Sequence, residues 1–467
     1  MHSFALLLKK GIKKIRHFLI RYDLDQLLCF GYSSSIPQRR LAVGYLSYIF
    51  IGMILLSLPI AHKQEISAVD NLFTVTSALS TTGLGTVDIG TSYSLFGQVI
   101  ILLLIQFGGL GYMTLSSFIL YQLTHHFMRI KKGVMHTSFS IPVELQMSSI
   151  IKGIIYFSII LETSGSIILY YLFKQAGVEQ PLWNGIFHAV SAFCTAGFSL
   201  LPDNLMRFGT NWPVCMVIAA LSYAGAMGFI VMVDVAKKLT RKGHKITFTT
   251  QMIIIITTLI TVAGTLQLFF FEPSFVQYDT ADRILVSFFQ TMSAMTTVGF
   301  NSVSLSPFIL SSLLTVMLAM FVGASPSGTG GGVKSTTVSI VFAFVSCKLS
   351  EQRNVTLFSH KLPTYRVDTA LTNLIFYGFI LGTAIYFLTF TETLPFEQIA
   401  FEACSALGTV GLSTGVTASF SVVGKLILTL LMYIGRLGVL AFGTSMLIRM
   451  SNKERMMGAD SDCDLAV

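Results

Sequence analysis

Four times along this chain the same pattern returns without a gap: FTVTSALSTTGL from Phe73, FHAVSAFCTAGF from Phe187, FQTMSAMTTVGF from Phe289 and FEACSALGTVGL from Phe401. The shared form is F-x-x-x-S-A-x-x-T-x-G-[LF]. It recurs at intervals of about 110 residues, and self-similarity at a fixed period marks one structural unit built several times over. Any fold for this chain must give equivalent places to Phe73, Phe187, Phe289 and Phe401, and to Ser77, Ser191, Ser293 and Ser405. The same holds for Ala78, Ala192, Ala294 and Ala406, for Thr81, Thr195, Thr297 and Thr409, and for Gly83, Gly197, Gly299 and Gly411.

The segments between the copies say which solvent they meet. Leu41–Ile60, Gly97–Tyr121, Asn211–Val233, Leu371–Phe390 and Leu426–Ile448 are apolar over roughly the 20 residues that cross a bilayer as a helix. With 53% hydrophobic and 11% charged residues, a water-soluble domain would have to bury all of them, so a polytopic membrane protein is expected. The net charge of +9 raises nucleic acid as a partner, but its placement argues otherwise. Basic clusters at Lys10–Arg16, Arg39–Arg40, Arg129–Lys132, Lys237–Lys245, Lys348–Arg366 and Arg449–Arg455 each adjoin a long apolar segment. The loops around Asp70, Asp88, Glu179, Asp203, Glu272, Asp279 and Glu392 carry fewer positive groups. The positive-inside rule then places the basic set and both termini in the cytoplasm. Residues Leu7–Ile20 lack the pattern of a cleavable signal and suit an amphipathic helix on the inner membrane face.

This topology is a helix outward, a re-entrant outer segment and a helix inward, four times over. The expected fold class is an all-α polytopic membrane protein of four fused membrane-pore-membrane repeats, pseudo-fourfold about a central pore. The expected divisions are an N-terminal segment 1–40, repeats 41–132, 133–245, 246–348 and 349–450, and a C-terminal tail 451–467.

Each copy of the pattern is helix-compatible up to its threonine and then reaches glycine, which predicts a short helix that dips in and a strand that returns. Non-helical backbone at membrane depth is tolerated where protein covers it or where it lines a watery cavity, and four strands facing one axis meet that condition. Glycine admits backbone dihedrals that let neighbouring carbonyls point at the axis and replace a cation's hydration shell. The candidate filter residues are Ser80, Thr81, Thr82 and Gly83; Cys194, Thr195, Ala196 and Gly197; Thr296, Thr297, Val298 and Gly299; and Gly408, Thr409, Val410 and Gly411. Short helices ending at the centre also turn their partially negative ends toward a cation. The plain alternative is four tight turns between spanning helices.

The third inward helix differs from the rest. Met317–Lys334 holds Gly323, Gly328, Gly330, Gly331, Gly332 and Pro326, so a broken helix with a loop beneath the filter is expected. Glycines that merely allow close helix packing are the alternative. Arg436 lies roughly midway along the last apolar segment, where a charge must face protein or water; it could form a barrier to cations or anchor loop carbonyls, and a pairing with Glu162 or another helix carboxylate is the structural reading of it. Asp70, Asp282 and Glu402 are expected beside the outer pore helices, attracting cations or capping backbone amides, while Glu162 and Asp234 suit ordinary interhelical pairing.

Other chemistries lack their signatures. Cys29, Cys194, Cys215, Cys347, Cys404 and Cys463 show neither disulfide-framework nor zinc-ligand spacing, no HExxH is present, and neither GxGxxG nor GxxxxGK[ST] appears. An enzyme is not expected, since no catalytic constellation accompanies the repeated backbone site. A membrane scaffold that has lost transport would leave the four copies unexplained.

In STTGL at Ser80, HAVSAFCTAGFSL at His188, TTVGFNS at Thr296, GASPSGTGGGVKSTT at Gly323, SALGTVGLSTG at Ser405 and YIGRLG at Tyr433, the chain resembles the superfamily of Trk, Ktr and HKT potassium transport proteins. The likeness is greatest to the bacterial Ktr membrane subunit and covers about Leu41 to Met450. It implies a filter that binds K+ at Thr81, Gly83, Thr195, Gly197, Thr297, Gly299, Thr409 and Gly411. Glycine at all four positions is similar to potassium-conducting members, whereas some sodium-preferring plant relatives carry serine at the first. None of the four copies has the TVGYG of tetrameric potassium channels.

The resemblance further implies gated potassium uptake, with Na+ influencing or sharing the pathway as the alternative, and no organic cofactor. It implies an intramembrane gate of Gly323, Ser325, Ser327, Gly328, Thr329, Gly330, Gly331, Gly332 and Lys334, faced by Arg436. The implied partners are a second copy of the membrane subunit, a cytoplasmic nucleotide-binding regulatory ring of the KtrA or TrkA kind, and the lipid of a bacterial inner membrane, with no nucleic acid.

Overall fold

The computed structural model describes residues 37–111, 147–240 and 245–446, apart from Ser327, Arg353 and Ser359. The N-terminal basic segment with its expected amphipathic helix, the Arg129–Lys132 cluster, the C-terminal tail and Ser327 of the expected gate lie outside the described residues.

Each repeat consists of a helix, a short helix and a further helix. The first has α1 (Pro37–Leu56), α2 (Ala68–Leu79) and α3 (Leu95–Gly109). The second has α4 (Met147–Gln175), α5 (Pro181–Phe193) and α6 (Trp212–Thr240). The third has α7 (Phe248–Phe271) and α8 (Thr280–Met295), then an inner helix split into α9 (Leu310–Phe321) and α10 (Ser335–Leu349). A small hairpin of β1 (Thr356–Leu357) and β2 (His360–Lys361) leads to the fourth, with α11 (Thr364–Thr391), α12 (Phe396–Gly408), α13 (Val422–Leu437) and α14 (Val439–Met446).

The short helices α2, α5, α8 and α12 carry the repeated pattern, and their motif phenylalanines Phe73, Phe187, Phe289 and Phe401 are all fully buried. Their starts are set locally: the Ser67 and Asp279 side chains accept the Asp70 and Asp282 amides at the N-termini of α2 and α8. Asp70 and Asp282 thus sit in the first turn rather than at the cap, where a carboxylate still faces the positive helix end. Their ends are set by the motif threonines, which adopt left-handed φ of 52° at Thr81, 52° at Thr195, 57° at Thr297 and 48° at Thr409. A right-handed helix cannot continue through that conformation.

The repeats close into a ring. The inner helix of each packs against the short helix of the next: α3 on α5, α6 on α8, α9 on α12, and α13 back on α2. The first helices of the second, third and fourth repeats form the outer layer. Gly153–Gln175, Phe248–Phe271 and Thr364–Thr391 are long and apolar enough to cross a membrane. Leu259 and Phe270 on α7 and Ile375 and Phe379 on α11 stand exposed. In water such a face would be an association surface; in a bilayer it is the lipid contact.

The inner helices depart from the expectation of unbroken spans. Leu426–Ile448 is not one helix, because Gly438 at φ 83° turns the chain and sets α14 at 98° to α13. Arg436 therefore lies at a helix end, not midway along a span. Within α6, Gly228 takes a non-helical φ of 76° and ψ of 173°, and Gly111, just past α3, has φ 74°. The sequence suggested a break in the third repeat alone. That break begins after Phe321, two residues before Gly323, the first glycine of the expected segment.

Candidate functional site

The four motif glycines have φ of 91° at Gly83, 66° at Gly197, 79° at Gly299 and 92° at Gly411, a region that L-residues rarely enter. Their surroundings close a circle. A Cβ on Gly83 would collide with the Ala196 carbonyl oxygen, one on Gly197 with that of Val298, one on Gly299 with that of Val410, and one on Gly411 with that of Thr82. In each case the struck oxygen belongs to the residue just before the next repeat's glycine. The four strands expected to share an axis are thus mutual neighbours, and glycine is needed both for its dihedral and for the approach of one backbone to the next.

The motif serine turns out to be a clamp. Ser77 Oγ donates to Leu84 O (2.7 Å), Ser191 Oγ to Phe198 O (2.8 Å) and Ser293 Oγ to Phe300 O (2.8 Å). Ser77 and Ser405 also accept the amides of Gly83 (3.1 Å) and Gly411 (3.0 Å). A buried serine thus ties the return strand to its short helix. The sequence alone suggested no such role for it, although its constant spacing from the glycine was a visible signal.

The segment between α9 and α10 lies directly under the ring. Thr195 Oγ1 donates to Thr329 Oγ1 (3.0 Å), Thr329 Oγ1 donates to Phe193 O (3.3 Å), and the Gly331 amide donates to Thr297 Oγ1 (3.1 Å). A Cβ on Gly330 would strike Thr297 Oγ1 and one on Gly331 would strike Thr409 Oγ1. Ser325 is tied sideways to α6, through its amide to Ala226 O (3.1 Å) and its hydroxyl to Met227 O (2.6 Å). Gly323 packs on the Gly331 carbonyl and Gly328 on that of Ala226, while Gly332 turns the chain at φ 72°. Lys334 closes the segment, donating from Nζ to Gly330 O (2.6 Å) and Gly331 O (3.3 Å).

Arg436 reaches the same segment from the fourth repeat. Its guanidinium donates to Thr329 O and to Gly108 O at the end of α3, in the neighbouring first repeat. These carbonyls, not Glu162, are its partners. Glu162 instead takes both oxygens' bonds from Gln106 Nε2 (2.9 Å each), and Asp234 accepts the Thr247 amide (2.7 Å) and hydroxyl (2.8 Å), both as interhelical contacts. Carbonyls at helix ends have acceptor capacity to spare, and although Gly108 O already takes the Gly111 amide, the fork of N–H donors on Arg436 uses it without a counter-charge. A cavity of about 330 Å³ lies here, lined by Gly109, Gly330, Gly331, Gly332, Lys334 and Arg436 among others.

The outer acids fall into different roles. Asp70 pairs with Lys425, whereas Glu402 is not at a helix start: it is fully buried in the middle of α12. A second feature was missed. Gly108, Gly225 and Gly435 pack on the Leu79, Phe193 and Leu407 carbonyls at the last turn of their own repeat's short helix. Three residues later come the left-handed Gly111, Gly228 and Gly438. In the third repeat the matching positions are Gly323 and Pro326. A G-x-x-[GP] spacing, legible in the sequence, marks where every inner helix leaves the ring.

Comparison with known proteins gives one answer throughout. The family model described as TrkH, a cation transport protein, matches residues 39–455. Ktr system potassium uptake protein B of Bacillus subtilis (strain 168) is 35% identical over 411 residues, covering 87% of this chain and 92% of that protein. Potassium/sodium uptake protein NtpJ of Enterococcus hirae is 33% identical over 438 residues, covering 90% and 94%. Among solved structures, the potassium transporter TrkH from Vibrio parahaemolyticus superposes with a TM-score of 0.67 at 19% identity over 87% of this chain and 85% of that one, a likeness of fold.

Proposed function

This chain belongs to the TrkH family of cation transport proteins and is not an enzyme, and from that premise we propose that it carries potassium into the cell through a gated, backbone-lined filter. The observation that carries the reading is the ring of four glycines, each seated against the carbonyl preceding the next. A carbonyl ring replaces a cation's water shell with fixed dipoles, and four short helix ends pointing inward add partial negative charge. K+ is bound along Thr81 to Gly83, Thr195 to Gly197, Thr297 to Gly299 and Thr409 to Gly411. The segment from Gly323 to Lys334 is the gate, because it occupies the space beneath the ring and is held there by hydroxyl and amide bonds. Arg436 is its lock, joining the Thr329 carbonyl to the Gly108 carbonyl of the first repeat and placing a positive charge beneath the ring.

The working unit in this reading is two copies of the chain in a bacterial inner membrane on a cytoplasmic nucleotide-binding ring. The Ktr-system relative supports a multi-component assembly by its name as part of a system. Potassium flux into proteoliposomes of the purified protein, with sodium in competition, tests the function. Flux that ignores potassium rejects it. A second reading, in which sodium shares the pathway, is favoured by the potassium/sodium relative, and reversal potentials in mixed salts separate the two.

A further inference from the structure

Next to each motif phenylalanine stands a polar residue that differs in every repeat: Thr74, His188, Gln290 and Glu402. All four are essentially fully buried behind the ring, where an apolar side chain would be the ordinary choice. In two repeats this residue reaches the strand that leaves the filter. His188 bonds through Nδ1 to Asn184 O (2.8 Å) and through Nε2 to Ser199 Oγ (2.9 Å). A carbonyl partner makes Nδ1 the donor, so Nε2 accepts from the serine. Glu402 accepts from Ser413 Oγ (2.6 Å), the Thr414 amide (3.1 Å), Thr414 Oγ1 (3.5 Å) and Thr417 Oγ1 (2.8 Å).

Ser199 and Ser413 occupy the same place, two residues past Gly197 and Gly411. The third repeat has Asn301 there, and neither amide atom of Gln290 nor the Asn301 Oδ1 meets a hydrogen-bond partner among the described residues. The first repeat has Gly85, with no side chain to hold. The filter is therefore backed unequally: by an ionisable carboxyl in the fourth repeat, by an imidazole in the second, and by no such bond in the other two.

We infer that Glu402 is a positioning residue for ion selection, pinning the outer end of the fourth filter strand so that the carbonyl ring cannot contract around a smaller cation. The inference deepens the potassium-filter reading and rests on it. Glu402 gathers Ser413, Thr414 and Thr417 onto one carboxyl group, and that segment follows directly from Gly411 and the fully buried Leu412. Three donors gathered on one carboxyl group resist deformation more than the single His188–Ser199 bond does. Ser77, Ser191 and Ser293 tie the first three return strands through the Leu84, Phe198 and Phe300 carbonyls, whereas among the described residues Ser405 only accepts the Gly411 amide, so in the fourth repeat the Glu402 bonds hold the strand and with it the width of the ring.

The test is the K+ over Na+ ratio of flux in proteoliposomes, with KM and maximal rate measured for each ion. Glu402→Gln, which keeps one acceptor oxygen and turns the other into an NH2 donor, loses at least one of the bonds the carboxyl accepts and is expected to lower the ratio roughly tenfold, the equivalent of one hydrogen bond. The change should appear mainly as tighter or faster sodium transport with the potassium KM little altered. Thr417→Val removes one bond from the pin without touching the pore helix, and should lower the ratio in the same direction by less. It stands in if Glu402→Gln does not fold. Gln290→Met, the corresponding place in the unpinned third repeat, should leave the ratio within about twofold, since it removes no bond.

Glu402→Gln and Thr417→Val proteins that discriminate as wild type does overturn the inference. So does a Gln290→Met protein that loses discrimination equally, because volume behind the ring, rather than the pin, would then govern. A wild-type protein that does not prefer potassium instead defeats the potassium-filter reading itself.

Discussion

Lys425 Nζ donates to Asp70 Oδ1 at 2.8 Å, joining the first turn of α13 to the first turn of α2 across 355 residues of sequence. This ion pair lies at the seam where the fourth repeat meets the first and the ring closes. Burial pushes the Asp70 carboxyl upward, but bonds from Lys425 and Ser67 outweigh it and hold the group below the usual carboxylate range. The pair is neither exposed nor deeply buried, at 15% and 17% side-chain exposure, so its loss should cost between the surface and buried limits, about 1–2 kcal/mol.

Asp70→Asn is accordingly expected to lower thermal stability in detergent at neutral pH. Because the native pKa is depressed, the carboxylate's contribution is complete above the unfolded value of about 4 and is lost as pH falls through the lower native value. The gap between wild type and Asp70→Asn should close over that acidic range. Equal melting at neutral pH would mean that packing alone seals the ring.

Replacing Gly83 by serine should reduce K+ over Na+ discrimination more than it reduces folding. The added Cβ meets the Ala196 carbonyl and must tolerate φ 91°, so the backbone shifts at the seam between the first two strands. Backbone strain of this kind costs on the order of 1–3 kcal/mol, which a large membrane fold absorbs while the ring does not. Ion ratios for the variant equal to those of wild type, measured per folded protein, would remove glycine from the selection mechanism.

Shortening the chain between Gly323 and Gly332 should raise potassium flux without a regulatory partner, and Arg436→Ala should do the same. Both changes remove parts of one barrier, since Arg436 holds Thr329 and Thr329 meets Thr195. Their effects on barrier free energy should therefore be less than additive in the double variant. Unchanged or lower flux after clean shortening rejects the gate.

Ser293→Ala should destabilise the protein by roughly 1–3 kcal/mol, because the Phe300 carbonyl that accepts Ser293 Oγ at 2.8 Å is left buried without that donor. Ser293→Cys should recover only part of this, the thiol being a weak donor. Denaturation curves of the two variants decide the point, and alanine as stable as serine would return the motif serine to a packing role.

Much of the architecture was legible because it is written in local terms. Apolar length marks the outer helix α11 through Leu371–Phe390, and the fixed distance from Phe73 to Gly83, repeated at Phe187, Phe289 and Phe401, identifies equivalent strands whatever surrounds them. A glycine where every copy has one is a statement about backbone geometry, and backbone geometry is a property of the residue itself. The dense glycines after Phe321 likewise announce a broken helix without reference to any neighbour.

Which atoms meet across the ring belonged to the tertiary structure alone. A buried arginine requires partners, and the sequence offered Glu162 as readily as any carbonyl; only the fold, which ends α3 at Gly109 and opens the third inner helix after Phe321, brings the Gly108 and Thr329 oxygens to Arg436 while Gln106 occupies Glu162. Glu402 reads in the sequence as one more acid near an outer loop, yet its meaning depends on Ser413, Thr414 and Thr417 folding back over α12. Period and composition follow from each residue's own preferences. Partnership follows from distances set by the whole ring, because a hydrogen bond forms only where donor and acceptor are held within about 3 Å, and nothing local holds them there.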